Sequence, residues 1–127
     1  MMMIKATQES EAGLPPNPEL MAAVGKLTEE GVRSGVVVAA GGLSPSSQGA
    51  RVQAKNGALA ILDGPFAETK ELIAGFAILE AKTREEAIEQ GCIMMQLHLA
   101  TLGPSYEGEC EIRPMFGADV CPAASAA

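Results

Sequence analysis

Six side chains have types that could do chemistry on a small molecule: Asp63, Thr69, Lys70, His98, Tyr106 and Arg113. Asp63 is the sharpest of them. It is one of only two aspartates, the other being Asp119, and it closes an apolar run just before Gly64, Pro65 and Phe66. A carboxylate held at the end of a buried strand can move protons as a general acid or base. The same residue type is a favoured first residue of a turn, where its oxygens accept backbone N–H groups. Turn aspartates greatly outnumber catalytic ones, so the structural role stands first and the catalytic role has to displace it.

His98 is the sole histidine and falls near the C-terminal end of a helical segment, where exposed carbonyls favour partial positive charge. A helix-end or boundary role therefore competes with that of a catalytic base. Thr101 and Tyr106 lie close by in sequence and would give this end a polar rim able to border a pocket. Arg113 alternates with Glu111 along a short strand pattern, so a surface ion pair competes with anion binding. Thr69 and Lys70 sit in the polar run Glu68-Thr69-Lys70-Glu71 after the aspartate turn. That run is either a solvated loop or a substrate lid, because binding residues concentrate on loops held by rigid elements.

Regular elements must position these groups. Met2 to Thr7 reads as a strand, and the proline- and glycine-bearing stretch from Glu9 to Pro18 reads as an irregular loop. Asn17 and Pro18 start an amphipathic helix with Leu20, Val24 and Leu27 on one face, ending near Ser34 with Gly35 as its stop. "GVVVAAGGL" is a β-branched strand pattern. Asn56-Gly57 between "RVQAK" and "ALAIL" is a strong two-residue hairpin signal. "AGFAILEAK" is a further strand, and Thr83 to Glu86 reads as a capping box opening a second helix. The apolar stripe of that helix runs through Ile88, Cys92, Met95 and Leu99. Gly103-Pro104 ends it, and "CEIRPMF" supplies the last strand. The order is that of an α+β, ferredoxin-like split βαβ with an inserted β-hairpin. The domain spans 1–117, and the alanine-rich residues 118–127 are expected to be a disordered tail.

A two-residue turn at Asn56-Gly57 pairs Lys55 with Ala58, Gln53 with Ala60 and Arg51 with Leu62. Val52, Ala54, Leu59 and Ile61 then share one face, and one more step of alternation adds Asp63 to it. On a regular strand the carboxylate points inward, where it needs a hydrogen-bond or ion-pair partner.

Composition removes several function classes. The chain has 127 residues and a net charge of −7, with its nine basic residues scattered, so no cationic stripe meets a nucleic-acid backbone. With no Trp, one Tyr and three Phe, base-stacking platforms are missing as well. No apolar run resembles a signal peptide or a membrane span, so the expected location is the cytoplasm. Three cysteines without CxxC spacing and one histidine argue against a disulfide framework and against a metal site. The glycines of "AAGGLSPSSQG" match no phosphate-binding fingerprint, and no cofactor is expected.

The stretch "DGPFAETKELIAGFAILE" at 63–80, with "KATQESEAG" at 5–13, "ELMAAVGKLTEEGVRSGVVVAAGGLSPSSQGARV" at 19–52 and "GECEIRPMF" at 108–116, resembles the YCII-related family in its DGPF-domain branch. The resemblance runs from about Ile4 to Phe116. It implies a ferredoxin-like dimeric α/β barrel, a bacterial origin, a mostly unassigned activity, and a genetic setting beside alternative sigma factors. Some members of the wider family are thought to use a His/Asp pair with the histidine in the first helix. Here the first helix, "PELMAAVGKLTEEGVRS", has no histidine, so that mechanism does not transfer by position.

Two functions remain open from sequence. One is a small-molecule enzyme with Asp63 as acid or base in a pocket between sheet and helices, His98 as a weaker candidate, and Arg113, Thr69, Lys70 and Tyr106 as substrate contacts. The other is a non-catalytic dimeric module that binds a metabolite or serves regulation, in a setting linked to sigma factors. Both expect a homodimer. "AGFAILEAK" and "VVVAAGGL" are apolar on both faces, whereas two helices can cover only one face of a sheet.

Overall fold

The computed structural model describes residues 1–116, so the expected tail, with Asp119 and Cys121, lies outside the described residues. In chain order the elements are β1 (Met2–Lys5), α1 (Gln8–Glu11), α2 (Pro18–Ser34), β2 (Val37–Gly42), β3 (Ala50–Lys55), β4 (Ala58–Asp63), β5 (Ile73–Leu79), α3 (Arg84–Leu102) and β6 (Cys110–Ile112). Short 3₁₀ turns at Ser46–Gln48 and Thr69–Glu71 interrupt the loops.

Local chemistry accounts for the boundaries. The Asn17 side chain accepts the N–H groups of Glu19 and Leu20 at 2.8 and 3.0 Å, with Pro18 at the first helical position, and α2 ends at a left-handed Gly35. The Thr83 hydroxyl accepts the Glu86 N–H at 3.1 Å to start α3. The Glu86 carboxylate accepts from Lys82 N–H rather than from Thr83, so the reciprocal half of the expected capping box is displaced by one residue. A complete box forms instead at α1, where Thr7 and Ser10 cap each other. The stretch expected to be irregular therefore begins with one helical turn, because its glycine and prolines come only after Glu11.

Four strands form one antiparallel sheet in the order β2-β5-β1-β6, consistent with a ferredoxin-like α+β fold. Met2 and Ala77 are directly paired and, with Met94 of α3, form the buried core. Val24 and Leu27 of α2 and Leu79 and Ile112 of the sheet pack around them. Both long helices thus cover one sheet face. Strand alternation puts Met3, Ala39, Phe76 and Ile78 on the other face, where none is buried.

The expected stripe on α3 is off by one position. Gly91, Met94 and His98 are the buried residues of this helix, while Cys92 is exposed and Ile88 and Leu99 are 37% and 40% exposed; of the expected stripe, Met95 does pack against the core. From Gly91 onward the helix is apolar on nearly every side, so periodicity alone cannot choose a face there. Packing chooses it: α3 approaches β6 at Gly91, beside Ile112 and Cys110. The last strand is also shorter than expected and ends before Arg113.

The hairpin registers match those read from sequence, with Asn56 and Gly57 at φ +52° and +76° in the turn. Asp63 pairs with Ala50 on the face of Val52, Leu59 and Ile61. That face is not in the core, however. β3 and β4 form a separate two-stranded sheet whose every residue is exposed, Val52 at 67%, Leu59 at 76% and Ile61 at 73%. The inward carboxylate expected from alternation is therefore solvent-exposed in the protomer, because the sheet that carries it lies apart from the core.

The choice of face on α3 is testable by chemical denaturation. Met94→Ala is expected to cost about 2–5 kcal/mol, the range for emptying a buried methionine site, and Ile88→Ala about 1 kcal/mol or less. The reverse ranking would restore the face read from sequence.

Candidate functional site

Three loops that are distant in sequence are tied together by Glu11. One carboxylate oxygen of Glu11 accepts the Ser46 N–H at 2.9 Å, and the other accepts the Ser46 hydroxyl. The Ser46 Oγ in turn accepts the Phe66 N–H at 3.0 Å. The end of α1, the 3₁₀ turn after β2 and the loop after Asp63 are thereby fixed to one another by a charge-assisted clamp. Gly64 N–H donates to the Gly49 carbonyl at 2.9 Å, and Gly64 lies against the Ser46 carbonyl so closely that a Cβ would stand 1.7 Å from that oxygen. Only glycine fits there. The Gly64-Pro65 peptide is cis, and the Arg51 guanidinium lies 3.9 Å from the centre of the Phe66 ring.

The clamp holds the loop that walls an open cleft of about 430 Å³, lined by Ala6, Thr7 and Gln8 on one side and by Ala67, Glu68, Thr69 and Lys70 on the other. The two walls are joined by Ala6 N–H to the Leu72 carbonyl at 2.9 Å. Hydroxyl, amide, ammonium and carboxylate groups all border this space, enough to bind and orient a polar ligand by hydrogen bonds and charge. Thr69 and Lys70 both border this cleft. Thr7, Gln8, Glu11 and Ser46 escaped the sequence reading. Thr7 to Ser10 carried a local signal as a cap, whereas the pairing of Glu11 with Ser46 spans 35 residues and has none.

The other candidates lie outside this cleft. A second space, about 290 Å³, does lie between sheet and helices, bordered by residues such as Leu27, Gly31, Val37, Leu79 and Met94. Asp63 borders neither of these two spaces. His98 is buried rather than a helix-end residue. Its Nδ1 lies 2.8 Å from the Met94 carbonyl, an acceptor only, so Nδ1 carries the proton and donates. Tyr106 packs on it, with ring centres 5.4 Å apart at 32°. Burial pushes the Tyr106 phenol up from its ordinary value, and Cys110 adds to the effect. Burial likewise raises the Cys110 thiol, with Cys92 contributing. Arg113 is exposed, with its Nε 3.9 Å from Glu111, whose other oxygen pairs with Lys5 at 3.1 Å. That is the surface ion-pair arrangement. Among the described residues no group of three or more His, Cys, Asp or Glu could hold a metal ion, and no helix is long and apolar enough to cross a membrane.

A family model for the YCII-related domain matches residues 1–91, a span that contains the clamp, the cleft, the hairpin and most of the sheet. The chain belongs to the YCII-related family. An uncharacterised protein of Rhizobium meliloti (strain 1021) is 33% identical to this YCII-related chain over 73 residues, covering 58% of the chain and 54% of that protein. The match thus extends over about half the length of this relative.

Two measurements check the site. In Glu11→Gln the amide exchange of Ser46 and Phe66 should accelerate relative to the core, with a cost of about 1–3 kcal/mol for weakening a charge-assisted pair. Unchanged protection would mean that the clamp does not hold the loop. Tyr106 is the only tyrosine and Trp is absent, so phenolate absorbance reports it alone. It should ionise above the ordinary value of about 10. Since the folded state holds this proton more tightly, the associated stability is fully present below the unfolded value and is lost as pH rises through the folded one. A midpoint at or below the unfolded value would contradict the burial of the phenol.

Proposed function

We propose that this YCII-related chain, of the DGPF branch and with a ferredoxin-like barrel completed by a second copy, is a homodimeric binding module for a small polar ligand. The observation that carries the reading is the cleft between Thr7-Gln8 and Thr69-Lys70, walled by a clamped loop and open to solvent. Lys70 supplies a positive charge to an anionic group, the two threonines and Gln8 supply hydrogen bonds, and Glu68 selects against a ligand that is anionic throughout. Asp63, the candidate acid, is exposed and borders neither of the two spaces described above, so a binding role has more support in the protomer than a catalytic one. Catalysis by Asp63 is the second reading. What favours it is the position of Asp63 on the apolar hairpin face, since covering that face would desolvate the carboxylate.

Dimerisation rests on the sheet. Met3, Ala39, Phe76 and Ile78 form an apolar face that α2 and α3 leave uncovered, and a two-fold pairing of that face with its copy would remove it from water.

A metabolite library read by thermal shift tests the ligand site, because binding to the folded state raises apparent stability by mass action. A hit should lose about tenfold or more in affinity in Lys70→Ala, as expected when a charge-assisted contact of about 1.5–3 kcal/mol is removed. A hit unaffected by Lys70→Ala and Thr69→Val would remove the cleft from consideration. Asp63→Asn should leave both fold and binding intact; turnover of a bound compound that falls by about two to four orders of magnitude in this variant would establish the second reading instead. Sedimentation across dilution tests the dimer. Ile78→Asp on the open face should dissociate it, whereas Leu79→Asp on the helix-covered face should unfold the protomer.

A further inference from the structure

We infer that the space between α2, α3 and the sheet is a second ligand site, one that takes a primary amine carrying an apolar body, about ten non-hydrogen atoms in all. It lies under the helices, apart from the Thr69-Lys70 cleft, and does not depend on what occupies that cleft. Among the described residues all three buried apolar side chains, Met2, Ala77 and Met94, border it, so the middle of the core is hollow. At about 290 Å³ it has roughly ten times the volume of a water, where native interiors leave few voids larger than one. The helices cannot settle to close it. A Cβ at Gly31 would stand 2.5 Å from the Val37 side chain, and one at Gly91 2.6 Å from that of Ile112, so α2 already rests on β2 and α3 on β6. The space is held open by contacts on both sides, as ligand pockets are before binding.

The chemistry of the walls selects the occupant. Leu20, Val24 and Leu27 make the apolar stripe of α2, and the same face continues through Glu30, Gly31 and Ser34 at spacings of three and four. A core-facing stripe that turns polar in its last two turns needs a polar group to meet. On α3, Gln90 lies one turn before Met94 on the buried side of that helix and borders the same space. The sheet and Met94 thus give an apolar floor, and Thr28, Glu30, Ser34 and Gln90 give a polar rim. Glu30 is the one charged side chain of that rim. Arg33, the nearest cation in sequence, pairs with Glu29 at 3.1 Å and does not border the space. The last carbonyls of α2 favour positive charge as well. A carboxylate, which only accepts hydrogen bonds, beside a helix C-terminus fits an ammonium head, and the two methionines of the floor adapt to an apolar body. An apolar cavity of about 150 Å³ takes benzene, so nearly twice that volume sets the size of the ligand.

The probe is phenethylamine, compared with phenethyl alcohol of the same size and with hydrocinnamate of opposite charge, each titrated to millimolar concentration into the full chain and followed by nuclear magnetic resonance of isotope-labelled methionine methyl groups. Met2 and Met94 report the space, and the exposed Met21 is the control. The expected result is saturable shifts at Met2 and Met94 but not at Met21, with the amine bound about fivefold or more tighter than the alcohol, the upper end for one solvent-accessible ion pair, and the carboxylate unbound. In Glu30→Gln, a change on the exposed rim, the gap between amine and alcohol should close to about twofold or less. An amine that binds no better than the alcohol, or whose advantage survives in Glu30→Gln, overturns the amine assignment. Should that variant fail to fold, wild type at high and low salt decides instead: an advantage that persists at high salt overturns the pairing with Glu30. No shift at Met2 and Met94 with any of the three probes, or shifts as large at Met21, overturns the site itself.

Discussion

The structure depends on a sheet that is apolar on both faces and has helices on only one. Met2, Ala77 and Leu79 point to α2 and α3, and the same strands present Met3, Phe76 and Ile78 to the other side. The consequence is a thin core. Only Met2, Ala77 and Met94 are buried among the described apolar side chains, with His98 the sole buried polar one. Burial of apolar surface contributes about 25 cal/mol per Å². A chain that leaves so much of it in water forgoes a large stabilising contribution within the protomer. The exposed hairpin and the open sheet face express the same shortage of covering layers.

Polar contacts compensate where layers are missing. Loops without a hydrophobic floor are held by the Glu11 carboxylate on Ser46 and by Ser46 on Phe66, and the two sides of the cleft meet through backbone pairing at Ala6. Each member of the set satisfies another: Ser46 donates to the acid through both its N–H and its hydroxyl, and accepts from Phe66 N–H. A network closed in this way sets loop geometry more narrowly than apolar packing would, because hydrogen bonds are directional. His98 follows the same logic in the core, where its ring proton is spent on the Met94 carbonyl and the ring stacks on Tyr106.

Local signals made much of the fold legible. Asn17-Pro18, Thr83 and Asn56-Gly57 carry their own backbone chemistry, and α2, the start of α3 and the hairpin register stand where they were read. What failed was orientation. The α3 stripe was misplaced by one residue because apolar side chains surround that helix, and Asp63 was turned inward because alternation says which face a residue shares but not what that face meets. The site was legible in half. Thr69 and Lys70 follow a recognisable turn, whereas the opposite wall, Thr7 and Gln8, and the clamp behind it depend on a meeting of distant segments that no periodicity encodes. Arg113 was rightly paired with Glu111, since their separation of two residues is itself the signal.

The Glu11–Ser46–Phe66 clamp also orders events in time. Its two hydrogen-bonded links close chain segments of 35 and 20 residues, so the entropy of loop closure must be met before either contact rewards it. Helices α2 and α3 and the β3–β4 turn form from neighbours in sequence and face no such delay. The sheet closes longer segments still, since Met2 pairs with both Ala77 and Ile112, so the clamp is delayed less than the strands of the scaffold. The clamp can therefore close as soon as its three loops are near one another, ahead of the long-range strand pairing that completes the fold.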